Sequence, residues 1–156
     1  MINIVYRLCE AEMAPPFRSK RLPWFSKLNC LKSFLDSVEF SKNHIASVTF
    51  IHDGPEGNLL KAIPEHFKVI KVNACSNEGS LIATYEAAKE ISGDIYFVED
   101  DYLHLPESIK LIALALPSLG LLTGYDHEDR YVRDDDLSYG KEYIIFDRAS
   151  NRHWRT

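Results

Sequence analysis

The sequence predicts a single α/β domain with a mostly parallel central sheet and helices on both faces. Three observations predict it. Short apolar, β-prone runs alternate with stretches of helical periodicity, the pattern of βαβ units. A chain of 156 residues fits one domain with a buried core. Strand-like runs close on polar or acidic residues, as at His52-Asp53 and Glu99-Asp100-Asp101, where the carboxyl ends of parallel strands open on a crevice.

Each element has its own signal. Ile2 to Leu8 reads as the first strand, and Glu10 to Pro23, rich in proline and basic residues, as a loop. Trp24, Phe25, Leu28, Leu31, Phe34, Leu35 and Val38 recur at three- and four-residue spacing, so a helix with one apolar stripe follows. Ile45 to His52 is a second strand, broken by Asp53-Gly54-Pro55. Glu56 to Phe67 reads as a helix interrupted near Pro64, and Lys68 to Val72 as a third strand. Ser80 to Ile91 is helical and stops at Ser92-Gly93. Ile95 to Val98 is a fourth strand, expected to lie inside the sheet because the run is continuously apolar. Pro106 opens a helix to about Leu116. Leu119 to Thr123 is expected as a fifth strand, Asp126 to Gly140 as irregular chain, and Lys141 to Asp147 and Arg152 to Trp154 as late strands.

Composition narrows the function. A net charge of −5 argues against a general nucleic-acid binder, which needs a basic face. No apolar run approaches the roughly 20 residues of a membrane span. Met1 to Tyr6 lacks the basic start and long apolar core of a signal peptide. Cys9, Cys30 and Cys75 form no CxxC pair, as expected of reduced thiols in a cytoplasmic protein. There is no GxGxxG after the first strand and no GxxxxGK[ST], so dinucleotide-binding and P-loop readings fail. A response-regulator pattern would carry its acidic cluster earlier in the chain.

The most informative stretch is Asp94 to Tyr102. Glu99, Asp100 and Asp101 follow a buried strand without spacing, and three carboxylates so placed repel one another unless a positive group sits among them. Oxygen ligands suit Mg2+ or Mn2+, which bind substrate phosphates through one or two protein carboxylates. The alternative is a solvated acidic turn.

The run Asn77-Glu78-Gly79-Ser80, then a helix, then Ser92-Gly93-Asp94 and Ile95 to Asp101, resembles the nucleotide-sugar-binding half of a GT-A glycosyltransferase of family 2 type. The Glu-Asp-Asp form of the DxD motif is similar to that of the N-acetylglucosaminyltransferase I group. The resemblance covers about residues 2–123 and leaves residues 124–156 as a short acceptor-side segment. It implies a GT-A-like, Rossmann-like domain that transfers a sugar, with a UDP-sugar as the first candidate donor, to a saccharide, lipid or protein acceptor with Mn2+ or Mg2+. Asp101 is then the metal ligand, Glu99 and Asp100 contact donor hydroxyls or support the site, and Asp53 contacts the base. Asn77 and Gly79 line the donor site. Arg7 could reach a phosphate, Asp126 is the first choice of base, and His153 is a second candidate metal ligand.

The chain departs from the family at several points. It lacks Pro-Thr-Tyr-Asn at the end of the first strand, a later Glu-Asp pair, and a Gln/Arg-x-x-Arg-Trp motif. The expected C-terminal part is therefore reduced, and a non-catalytic GT-A-like domain that binds a nucleotide, a sugar or a partner is the alternative function. Asp134-Asp135-Asp136 reads as a solvated loop, Cys75 as packing, and Trp24 and Trp154 as core or rim aromatics.

Overall fold

A computed structural model of the chain describes residues 1–11, 25–124 and 144–155. Four parallel strands form the main sheet: β1 (Ile2–Cys9), β2 (Ile45–Asp53), β3 (Lys68–Val72) and β4 (Ile95–Glu99), in the order β3-β2-β1-β4. Between them run α1 (Lys27–Phe40), a 3-10 turn (Lys42–His44), α2 (Asn58–Ala62) and α3 (Asn77–Lys89). After β4 come α4 (Ser108–Leu119) and an antiparallel hairpin of β5 (Ile144–Asp147) and β6 (Arg152–Arg155). The α/β class, the parallel sheet and helices on both faces are as the sequence predicts.

β1 is a central strand, and Ile2, Ile4, Val5, Tyr6 and Leu8 are all buried. Alternation sends its residues to opposite faces. Ile4, Tyr6 and Leu8 join Leu31 and Phe34 of α1, Phe50 of β2 and Ile109 and Ile112 of α4 in the larger core. Val5 packs with Ile51 and with Ala88 of α3 on the other face. Tyr6, Phe34 and Phe50 form the aromatic centre, with ring centroids 4.5–5.9 Å apart. At the amino edge, Asn3 clips the strands together: its Nδ2 donates to Ser92 O at 3.1 Å and its Oδ1 accepts from Ser47 Oγ at 2.7 Å.

Three expectations are corrected. β4 is the outer strand of the four and not an inner one. Val98 is buried, but Phe97 on the opposite side of the strand is 43 % exposed. The run is apolar because one side feeds the core and the other lies under Tyr85 of α3, whose ring is 5.5 Å away. The helix expected over 56–67 is only α2, since Ile63 before Pro64 is extended, as a residue preceding proline prefers. The strand expected at Leu119 to Thr123 is not formed. Leu119 ends α4, Gly120 turns at φ +75°, and only Thr123 forms a bridge. Leu116, Leu119 and Leu122 pack against the larger core as an extension of the α4 stripe, so a short apolar run reads alike in either state.

The hairpin is tied to α4 by one carboxylate. Asp147 accepts from Ser150 Oγ and Ser150 N, each at 2.7 Å, and from Ser118 Oγ of α4 at 2.8 Å. These bonds, led by the Ser150 hydroxyl, hold its carboxyl below the usual range. Trp154 donates its indole N–H to Ser150 Oγ at 2.7 Å and fills the core edge. Asp147→Ala should therefore loosen the hairpin alone. Hydrogen exchange is expected to quicken in β5 and β6 while β1 keeps its protection. Unchanged exchange in β5 and β6 would mean that Trp154 packing is sufficient by itself.

Candidate functional site

Because all four strands are parallel, their last residues share one edge. Cys9 pairs with Asp53 and Arg7 with Glu99, so the ends of β1, β2 and β4 stand side by side. A cleft of about 450 Å³ opens there, a usual size for a small-ligand site. It is lined by Arg7, Asp53, Asn77 and Glu99 to Asp101, together with Lys27 and Ser80. The structure thus brings together six of the residues singled out from sequence. Gly79 sits one residue before Ser80 in the first turn of α3. A Cβ there would stand 3.0 Å from Ala74 Cβ and from Ser76 Oγ, so a side chain would press on both.

The acidic turn is neutralised by the chain itself. Arg7 pairs with Glu99 through Nη2 and donates through Nη1 to Asn77 Oδ1 at 2.7 Å and Asn77 O at 3.2 Å. Lys27 Nζ pairs with Asp100 Oδ2 at 2.8 Å and donates to Cys9 O at 2.8 Å and Ala11 O at 3.0 Å. Asp100 also accepts the Cys9 N–H at 2.8 Å.

Lys27 was not singled out by sequence, although it carries a signal. It is the first residue of α1, after the Ser26 cap, where the helix dipole disfavours a cation. A buried lysine at that position needs acceptors from elsewhere, and the acidic turn and the end of β1 supply them. Glu10 was also missed. Its carboxylate accepts from Leu60 N at 2.9 Å at the start of α2 and stands 3.5 Å from His52 Nε2. A Cβ on Gly57 would overlap that carboxyl, so the glycine makes room for it.

Asp53 is buried at the end of β2, and its Oδ1 accepts from Ala74 N at 2.8 Å, tying the ends of β2 and β3. It has a structural bond as well as a place in the cleft. Ser76 caps α3 by accepting Gly79 N at 3.0 Å, after Cys75 at φ +53°. That backbone bend, not core packing, defines Cys75, which is exposed.

His104 lies in the coil between β4 and α4. It is buried behind the acidic turn, 3.2 Å from the Tyr96 hydroxyl through Nε2, with its backbone N–H on Ser33 Oγ at 3.1 Å. Burial pushes its imidazole down to about 4 and the Tyr96 phenol up to about 12. Burial also raises the Tyr6 phenol, with Asp100 and Asp101 adding to it, and lifts the Cys30 thiol to about 11. Each of these groups is neutral at pH 7 and acts as packing around the acidic turn.

Asp126, the first choice of base, and the acidic run Asp134 to Asp136 lie outside the described residues, as does Trp24. His153 belongs to β6, but its side chain lies outside them too. Among the described residues no three acidic, histidine or cysteine side chains converge as a ready-made metal cage. One or two carboxylates beside a substrate phosphate would suffice for a hard divalent ion, and Asp101 with a neighbouring carboxylate fits that mode. No helix among the described residues is long and apolar enough to cross a membrane. Comparison with protein-family models, curated proteins and solved structures gives no match.

Lys27 should matter more than a surface lysine. Lys27→Met leaves the half-buried Asp100 without its cation and is expected to cost about 2 kcal/mol, less than breaking a fully buried pair. Urea unfolding measures it, and a loss no larger than that of Lys42→Met, at an exposed pair, would refute the role.

His104 sets a pH dependence. Its ring is neutral in the fold, and its folded pKa of about 4 lies below the ordinary value of about 6.5. Its contribution is complete above about pH 6.5, declines as the pH falls and is fully lost near pH 4. The difference corresponds to roughly 3 kcal/mol. His104→Gln should flatten urea-unfolding stability across that window, and an unchanged wild-type slope in the variant would exclude His104 as its source.

Proposed function

We propose that the chain is a metal-dependent glycosyltransferase that takes a sugar from a nucleoside-diphosphate sugar, with a UDP-sugar as the first candidate. One observation carries this reading: Asp53, Asn77 and the Glu99-Asp100-Asp101 turn line a single cleft at the carboxyl edge of a parallel sheet. The Glu-Asp-Asp resemblance supports the same donor class.

The residues divide the work by charge. Asp53 would accept a base N–H, and Asn77 would line the nucleoside side. Arg7 would meet the diphosphate, trading its bond to Glu99 for one to a phosphate oxygen. Lys27 remains beneath Asp100 and keeps a positive charge under the leaving group. A Mn2+ or Mg2+ ion held by Asp101, aided by Glu99 or Asp100, would act as a Lewis acid toward the leaving diphosphate. Glu99, once released from Arg7, could also accept from ribose or sugar hydroxyls. Asp126 is the proposed base for an inverting transfer, with His153 as a second candidate for the metal.

An acceptor would fit the second groove, of about 780 Å³, along the outer side of β4. It shares Arg7 and Glu99 with the cleft and exposes Tyr85, Phe97 and Tyr102, aromatic faces of the kind that stack on sugars. A non-catalytic domain that binds a nucleotide or sugar is the second reading. It is favoured by the built-in pairing of Glu99 and Asp100 with Arg7 and Lys27, which makes the turn self-sufficient.

Calorimetric titration of UDP, GDP and CDP with Mn2+ and with EDTA tests both. Diphosphate binding should be much stronger with the ion. Without it, phosphates meet the carboxylates at a cost of roughly 1–4 kcal/mol per like-charge pair at ~4 Å. Asp101→Asn should remove most of the metal-dependent increment and leave the melting temperature nearly unchanged, while Asp135→Asn should alter little. Absence of binding by any of the three nucleotides, with or without Mn2+, would sink the donor-site reading. Binding without hydrolysis or transfer of the matching nucleotide sugar would favour the non-catalytic one.

A further inference from the structure

The wall of the cleft formed by α3 carries donors that the reading above leaves unused. α3 is thirteen residues long and opens on the cleft. Ser76 Oγ takes the Gly79 amide and Ser76 O takes the Ser80 amide. The amides of Asn77 and Glu78 belong to the four that every helix start leaves without an intrahelical acceptor, at the positive end of the dipole.

Ser80 gives the independent observation. It lines the cleft, is only 3 % exposed, and its hydroxyl has no hydrogen-bond partner among the described residues. One turn later Thr84 solves the same problem by donating to Ser80 O at 2.9 Å. Ser80 does not make the equivalent bond to Ser76 O. A buried hydroxyl left so is unfavourable, and a ligand acceptor would relieve it. Arg7 lies across the same wall with Nη1 on Asn77.

We propose that this wall is a binding site for a phosphate-type oxyanion, held by the Arg7 guanidinium, the Ser80 hydroxyl and the first-turn amides of α3. All three are donors, two bear positive charge or its partial equivalent, and an oxyanion supplies acceptors only. A sugar hydroxyl could satisfy Ser80 but gains nothing from Arg7 and the helix dipole. The inference rests on the donor-site reading of the cleft and refines it: one phosphate of the diphosphate sits against α3, independently of the cation. Its entry displaces Glu99 from Arg7.

Inorganic pyrophosphate titrated by calorimetry into the full chain in EDTA is the test. Saturable binding is expected. Ser80→Ala should weaken it roughly tenfold, the effect of losing one hydrogen bond to a charged group. The same variant should melt at an equal or higher temperature, since it removes a buried hydroxyl without a partner. Arg7→Gln should abolish binding, and Lys71→Gln, at an exposed pair with Glu56 outside the cleft lining, should leave it unchanged. Equal affinity in wild type and Ser80→Ala, or no saturable binding in wild type, overturns the site. Pyrophosphate binding with no nucleotide binding would keep the site and remove the transferase reading. Mn2+-dependent nucleotide binding that ignores Ser80→Ala, with no pyrophosphate binding in EDTA, would do the reverse.

Discussion

Three adjacent carboxylates at the end of a strand impose the constraint around which this structure is arranged. Glu99, Asp100 and Asp101 cannot stand together at a sheet edge without positive charge among them. Among the described residues, two cations from distant parts of the chain help to meet that need. Arg7 reaches Glu99 from the neighbouring strand, and Lys27 reaches Asp100 from the first turn of α1. Each cation then holds something else. Arg7 grips the first residue of α3, and Lys27 binds the carbonyls of Cys9 and Ala11 where the chain leaves β1. The start of α1, the end of β1, the end of β4 and the start of α3 are located by one network of charges.

The core makes that network possible by keeping its base dry. Tyr6, Cys30, Tyr96 and His104 surround the turn from below, and burial holds each in its neutral form. A low-dielectric floor strengthens the pairs above it, and the same floor makes removal of one partner costly. The two faces of the sheet are unequal. α1, α2 and α4 cover the larger core on one face, whereas α3 covers the smaller one, so the cleft opens beside the helix with the lighter packing.

The same pairs bear on function. On the proposed reading, a donor phosphate and Glu99 would compete for one guanidinium, which would couple anion entry to release of a carboxylate by charge alone. Asp100 is held by Lys27 and a backbone amide and has less freedom to change partners. The aromatic groove along β4 shares Arg7 and Glu99 with the cleft, so a second substrate there would meet the first at these two residues.

The sequence by itself determined the fold class and most of the elements, because hydrophobic periodicity and turn residues are local. β3 begins and ends at Lys68 and Val72 as read, and β1, β2 and β4 differ by a residue at one end. It also determined that Asp53, Asn77 and the acidic turn share an edge, since parallel strands put every carboxyl end on one side. Only the tertiary structure decided that β4 lies outermost of the four described parallel strands, because strand order depends on which helices fill which face and not on any one strand's composition. Leu119 went to α4 and Leu122 to the core beside it for the same reason: short apolar runs are decided by the surface they meet. The roles of Lys27, Glu10 and Ser80 were likewise hidden. Lys27 finds its acceptor 73 positions away, Glu10 closes over Gly57, and Ser80 is notable for a partner it lacks. Such relations exist between residues brought together by folding, and no spacing along the chain encodes them.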